Sequence, residues 1–69
     1  MKRVADIPNS ELSHCIDEYI HSERDRRILK DRLINGKHLN QLTEDYELSI
    51  RCIQYIISNG IDVIIRHIT

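Results

Sequence analysis

The chain of 69 residues contains no Phe and no Trp, and three Tyr are its only aromatic residues. Its apolar fraction of 41% is supplied mostly by thirteen Ile and six Leu, which is ordinary for a folded domain and excludes general disorder. We therefore expect a core of interdigitated aliphatic side chains with Tyr at its margin. A domain of this size buries only about 60% of the surface that its unfolded chain exposes, so oligomerisation would add stability.

Cysteine is also scarce, and the two thiols, Cys15 and Cys52, lie in different predicted helices. Residues 2 and 3 are basic, but Asp6 and Pro8 follow them in place of an apolar stretch, which argues against a signal peptide. No run of about 18 apolar residues exists, so no membrane span is predicted. We expect a cytoplasmic protein with free thiols, with Cys15 packed in the core because it lies on an apolar helix face.

The sequence has little that supports catalysis or metal binding. Its two Gly are isolated, so there is no Gly-rich phosphate loop, and its four His and two Cys form no C-x-x-C or H-x-x-x-H pair. A domain this small also lacks the walls of a usual substrate pocket. We therefore predict no cofactor, no metal and no enzymatic activity.

Apolar residues at helical spacing predict an all-α fold, a small bundle of four helices that contains a helix-turn-helix. Ser22 can cap the second helix, and Asn35-Gly36 can end it, since Gly readily adopts the left-handed conformation beyond a helix end. The whole chain is predicted to form one domain, with a flexible arm over 1–8 and helices over 9–21, 22–35, 39–46 and 49–68.

The segment 39–57 has the spacing of the helix-turn-helix itself. Leu39, Leu42 and Tyr46 lie at i, i+3 and i+7, which is one face of a short helix. Ser49 then precedes a second apolar series, and its hydroxyl can accept a hydrogen bond from an N–H of the next helix. Two short helices with inward faces and a tight connection form the unit that reads a DNA major groove.

The low helix propensity of Asn59-Gly60 favours an interruption of the last helix at this point. The apolar residues on either side nevertheless keep helical phase: Ile53, Ile57, Ile61, Ile64 and Ile68. We expect one long helix that can kink near Gly60, with a break after Ser58 as the alternative. Val63 and Ile65 lie off this stripe, and a helix that is apolar on two sides must bury both. This pattern predicts a homodimer formed through the C-terminal helix.

A set of residues between Ser22 and Ile68, about two thirds of the chain, has a recognisable pattern: Glu23-Arg24, Arg27-Ile28-Leu29, Asn35-Gly36, Leu39, Leu42, Leu48-Ser49, Ile53 and Ile56. The pattern resembles region four of bacterial sigma factors and the small sigma-like proteins encoded by phages and prophages of Gram-positive bacteria. The resemblance implies a sigma-like DNA-binding module in transcription control. Three positions depart from it: His38 stands where a capping Ser or Thr is usual, Thr43 where Ala is common, and Glu47 where Gly, Asn or Asp is frequent.

By this resemblance, the second helix of the motif enters the major groove and presents Ile50, Arg51, Cys52, Gln54 and Tyr55. Arg51 can pair with guanine and Gln54 with adenine, while Tyr55 can donate to a phosphate and Ile50 can contact a thymine methyl. Arg51 and Gln54 also fit an ordinary helix surface, and Tyr55 also fits half-buried packing. The segment 24–37 has six Lys or Arg against two Asp, and the candidate phosphate contacts within it are Lys37, Arg27 and Lys30.

Two functions follow from these patterns. The leading hypothesis is a transcriptional regulator that binds double-stranded DNA through the helix after Ser49. The alternative is a protein-interaction module that binds RNA polymerase or another regulator without contacting bases, and a helical structural subunit is a third reading. The formal net charge of −1 favours the alternative, because DNA-binding domains usually carry a basic surface.

Overall fold

The computed structural model describes residues 6–68 and contains four helices and no strand within that range. They are α1 (Asn9–Tyr19), α2 (Glu23–Leu33), α3 (Leu39–Tyr46) and α4 (Ile50–Ile68). The predicted small all-α bundle of four helices is thus confirmed, and its last helix is the longest.

Local sequence signals account for where α2 and α4 begin. The Ser22 hydroxyl accepts a hydrogen bond of 3.4 Å from the Asp25 N–H, and the Ser49 hydroxyl accepts one of 3.2 Å from the Cys52 N–H. Both serines therefore cap the helices that follow them. Beyond α2, Gly36 has a φ of 72°, the left-handed conformation that its position after Asn35 predicts.

The first helix is shorter than predicted and ends at Tyr19. Ile20 turns to an extended conformation with φ −102° and ψ 116°, and its side chain is buried. The Ile20 carbonyl accepts a hydrogen bond of 3.1 Å from Arg26 Nη1, so a side chain of α2 satisfies a carbonyl that a longer helix would have paired internally.

The core consists of two clusters of buried aliphatic side chains. The first joins α1 to α2 and α4 and contains Ile7, Leu12, Cys15, Ile16, Ile20, Leu29 and Ile64. The second joins α3 to α2 and α4 and contains Ile28, Leu42, Ile53 and Ile56. Ile28 and Leu29 are neighbours on α2, and Ile57 of α4 packs against both clusters, so α2 and α4 connect the two halves of the core.

Two details of the first cluster bear on the sequence predictions. Cys15 is buried, as its place on an apolar helix face predicts. Ile7, near the end of the predicted flexible arm over 1–8, is only 7% exposed and belongs to this core cluster. The part of that arm before residue 6 lies outside the described residues.

Helix α4 runs without interruption through Gly60, and the alternative break after Ser58 is absent. Gly60 is buried where α4 crosses α2. A Cβ atom at this position would lie 2.5 and 2.6 Å from the two Cδ atoms of Leu29, which is far inside van der Waals contact. Glycine therefore serves close packing between the two helices here, and it does not mark a helix end.

The second apolar side of α4 is partly covered within the monomer. Val63 packs against the first cluster, and Ile65 is half-buried. Within the monomer, the first core cluster therefore covers part of the Val63 side chain. The homodimer itself stays a prediction.

Candidate nucleic-acid interface

The connection between α3 and α4 is a tight turn of three residues. Glu47 adopts the left-handed conformation, with φ 54° and ψ 41°, which is uncommon for a residue other than Gly. Leu48 packs against the second cluster, and its N–H donates a hydrogen bond of 3.2 Å to the Thr43 carbonyl. Ser49 then caps α4. The chain bends by 108° between α3 and α4.

The five residues predicted to read DNA all lie exposed on the first two turns of α4. Buried Ile53 and Ile56 hold the opposite side of these turns against α2 and α3. Ile50 is 43% exposed and Tyr55 is 72% exposed, and they are the exposed large apolar side chains in the described part of the chain. Tyr55 is thus a surface residue, and the half-buried packing considered for it is excluded.

Arg51 differs from every other Lys and Arg among residues 6–68 because its side chain has no hydrogen bond and no ion pair. The others contact a carboxylate or a backbone carbonyl: Arg24, Arg26, Arg27, Lys30, Arg32, Lys37 and Arg66. An exposed guanidinium without a partner keeps its five donors available to an acceptor outside the protein.

The three predicted phosphate contacts are each paired with an acidic side chain. Arg27 bonds to Glu23 at 3.0 Å, one turn earlier on α2. Lys30 points toward α1, where its Nζ lies 2.7 Å from an oxygen of Asp17. This hydrogen bond lowers the pKa of Asp17 below its usual value of 3.8. Exposed ion pairs of this kind are weak, so each cation can exchange its partner for another anion.

Lys37 lies between two carboxylates of α2 and α3. Its Nζ is 3.2 Å from Asp45 and 3.8 Å from Asp31, and the hydrogen bond to Asp45 raises the pKa of Lys37 above 10.5. The pKa of Asp45 is lowered, first by a hydrogen bond from Gln41 and then by the bond from Lys37. Lys37 is therefore paired with two carboxylates of its own chain, one on α2 and one on α3.

A hydrogen bond between α3 and α2 holds the helix before the turn. The Tyr46 hydroxyl donates to Asp31 Oδ2 at 2.6 Å. Burial, and then this hydrogen bond, raise the pKa of Tyr46 to about 12. The bond joins the end of α3 to the last turn of α2, and it thereby helps to set the direction in which α4 departs.

An open groove of about 320 Å³ lies between the start of α2 and the start of α4. Its apolar wall is formed by Leu48, Tyr55 and Ile56, and its polar rim by Arg24, Asp25 and Arg51, with the Cys52 thiol beside them. We name this groove, lined by these seven residues, the α2–α4 groove. Two of the predicted reading residues lie elsewhere: Gln54 and Ile50 line separate depressions next to Arg32 and Leu39.

Arg24 is a site residue that the sequence analysis missed. It belongs to the basic segment 24–37, but its position in the chain gives no sign that it lies beside α4. Packing of α2 on α4 brings it to the same groove as Arg51 and Tyr55. Its guanidinium bonds to Asp25 at 3.2 and 3.3 Å, a pair of adjacent residues on the surface.

The described residues, 6–68, contain neither a cluster of metal-ligating side chains nor a single helix that meets the criterion for a membrane span. No group of three His, Cys, Asp or Glu side chains among them converges on a point where a metal could bind. Within the same range, no single helix is long and apolar enough to cross a membrane, and α3 and α4 meet that criterion only when taken together across their 108° bend.

Comparison of the chain with protein-family models, curated proteins and solved structures finds no match.

Proposed function

We propose that this protein binds double-stranded DNA and places the first two turns of α4 in the major groove. The observation that carries the proposal is the geometry of α3 and α4. Two helices joined by a three-residue turn and bent by 108° present an exposed, capped helix start. A helix-turn-helix joins its helices at roughly 90–120° and reads bases with the N-terminal residues of the second one.

The chemistry of the exposed residues supports base reading. Arg51 has no partner among residues 6–68 and can donate two hydrogen bonds to guanine O6 and N7. Gln54 can bond to adenine N6 and N7, and Ile50 can contact a thymine methyl. Tyr55 can donate its hydroxyl to a phosphate oxygen. These contacts would specify a short sequence, while Arg27, Lys30 and Lys37 would supply phosphate contacts by exchanging their carboxylate partners.

We further propose that the DNA-binding activity serves transcription, as in the sigma-like proteins that the sequence resembles. The residues that carry the resemblance include the capping Ser49 and the buried Leu42 and Ile53. On this proposal the protein acts in the transcription of a phage or another mobile element, with RNA polymerase as a second partner.

The test is selection from a random duplex library, followed by titration of the selected site by fluorescence anisotropy at several salt concentrations. We expect log K to fall with log salt by roughly 0.9 per phosphate contacted. Arg51→Ala should weaken binding by about 1–3 kcal/mol and relax the base preference at one position. Arg66→Ala is the matched control, because Arg66 is also exposed on α4 but lies near its other end. If no duplex binds at low salt, the proposal is refuted.

A second function, a protein-interaction module, is favoured by the charge pairing. Every predicted phosphate contact already has a carboxylate partner, and the formal net charge is −1. The exposed apolar side chains Ile50 and Tyr55 are suited to a protein partner, since aromatic side chains often anchor protein interfaces. In this case α4 would contact a regulator or the polymerase and leave bases unread.

A further inference from the structure

We infer that the α2–α4 groove binds an acidic peptide segment that inserts one large apolar side chain between α2 and α4. This inference rests on the second proposed function, the protein-interaction module, and it does not require DNA binding.

The wall of the groove selects for an apolar group. Leu48 is half-buried and Ile56 is buried, so both present only part of their side chains to the groove. The Tyr55 ring stands 72% exposed at the edge, where it can close over an inserted Leu or Phe. This apolar wall therefore fits a Leu or Phe side chain of a peptide.

The rim of the groove selects for negative charge. Arg24 and Arg51 supply two positive charges and Asp25 one negative charge, so the rim is positive overall. Asp25 is engaged by Arg24, whereas Arg51 has no partner among residues 6–68. Elsewhere in that range each Lys and Arg is already bonded within the chain. A carboxylate that enters the groove can therefore bind the Arg51 guanidinium without displacing an acidic side chain of the protein.

The chain carries its own reporter for occupancy of this groove. The Cys52 thiol lines the groove and is exposed, whereas Cys15 is buried in the first core cluster. A thiol reagent such as dithionitrobenzoate should therefore react quickly with Cys52 and slowly with Cys15. A peptide seated in the groove should slow the fast reaction only.

The experiment is a selection of random twelve-residue peptides displayed on phage against the full, folded chain. We expect the selected peptides to be enriched in Asp and Glu around a Leu or Phe, and to slow Cys52 modification at least fivefold at saturation. Arg51→Glu should weaken their binding at least tenfold, and Arg24→Glu should weaken it in the same direction. Arg66→Glu, a charge reversal at the other end of α4, should leave affinity unchanged. Circular dichroism melts verify that each variant is folded.

The outcomes separate this inference from the proposals it accompanies. The groove assignment would be overturned if the selected peptides were not enriched in Asp and Glu. It would also be overturned if they left Cys52 reactivity unchanged and bound Arg51→Glu as tightly as wild type. Either result would leave the interaction module in place. Failure to select any peptide would overturn both. Gln54→Ala isolates the DNA proposal, because Gln54 lines a different depression and should affect duplex binding but not peptide binding.

Discussion

Replacing Gly60 with Ala tests the close approach of α2 and α4 most directly. In an exposed helix this change adds about 1 kcal/mol of stability, because Ala has the higher helix propensity. Here the new Cβ would lie 2.5 and 2.6 Å from the Leu29 Cδ atoms, and 3.1 Å from its Cγ. Leu29 is fully buried, so its side chain has no solvent-filled space into which it can turn.

The expected result is a net loss of stability. Overpacking a well-filled core costs about 1–3 kcal/mol, which exceeds the gain in propensity. We therefore expect Gly60→Ala to lower the free energy of unfolding by about 1 kcal/mol, which corresponds to a melting temperature lower by roughly 4–8 °C in a domain of this size. Urea unfolding followed by circular dichroism measures the difference.

Asn59→Ala is the matched control, since Asn59 is the exposed neighbour on the same helix. The Asn59→Ala change raises helix propensity and creates no new contact, so it should increase the free energy of unfolding by about 0.5 kcal/mol. A Leu29→Val background removes the Cδ atoms and should reduce the penalty of Gly60→Ala, which a double-mutant cycle detects. If Gly60→Ala stabilised the protein as Asn59→Ala does, the packing explanation for this glycine would be refuted.

Four further measurements test other parts of the structure. Tyr46→Phe removes the hydrogen bond to the α2 carboxylate and should lower stability by about 1 kcal/mol, whereas Tyr55→Phe should change little. Folding raises the pKa of Tyr46 from 10.0 to about 12, so the contribution of Tyr46 to the free energy of unfolding is present below pH 10 and is lost as pH rises toward 12. Wild type should therefore lose more stability than Tyr46→Phe between pH 10 and pH 12. Ser49→Ala removes the cap of α4 and should cost about 1 kcal/mol in urea unfolding, against no loss for the exposed Ser58→Ala; equal effects would contradict the capping role. Sedimentation equilibrium at micromolar concentration should give a dimer that Ile65→Glu converts to a monomer, and a wild-type monomer would end the dimer prediction.

Features that depend on near neighbours in the chain were predictable from the sequence. Ser22 and Ser49 cap their helices, and Gly36 ends the turn after α2 in the left-handed conformation. The helical phase of the Ile residues also predicted an unbroken α4. Each of these follows from hydrogen bonds or side-chain spacing within a few residues, which a single sequence displays. The exposed positions on the first turns of α4 follow from the same spacing.

Features that join distant parts of the chain required the tertiary structure. The sequence alone shows a basic segment, but only the packing of α1 on α2 brings the Asp17 carboxylate to Lys30 and pairs the Lys30 charge. Only the packing of α2 on α4 brings Arg24 beside Arg51, and the same contact explains Gly60, which local propensity alone treats as a helix breaker. Helix spacing determines which face of a helix is apolar, whereas the angle and distance between helices determine which charges meet. The lack of a carboxylate partner for Arg51 among residues 6–68 therefore follows from how all four helices pack, and the spacing along α4 alone does not reveal it.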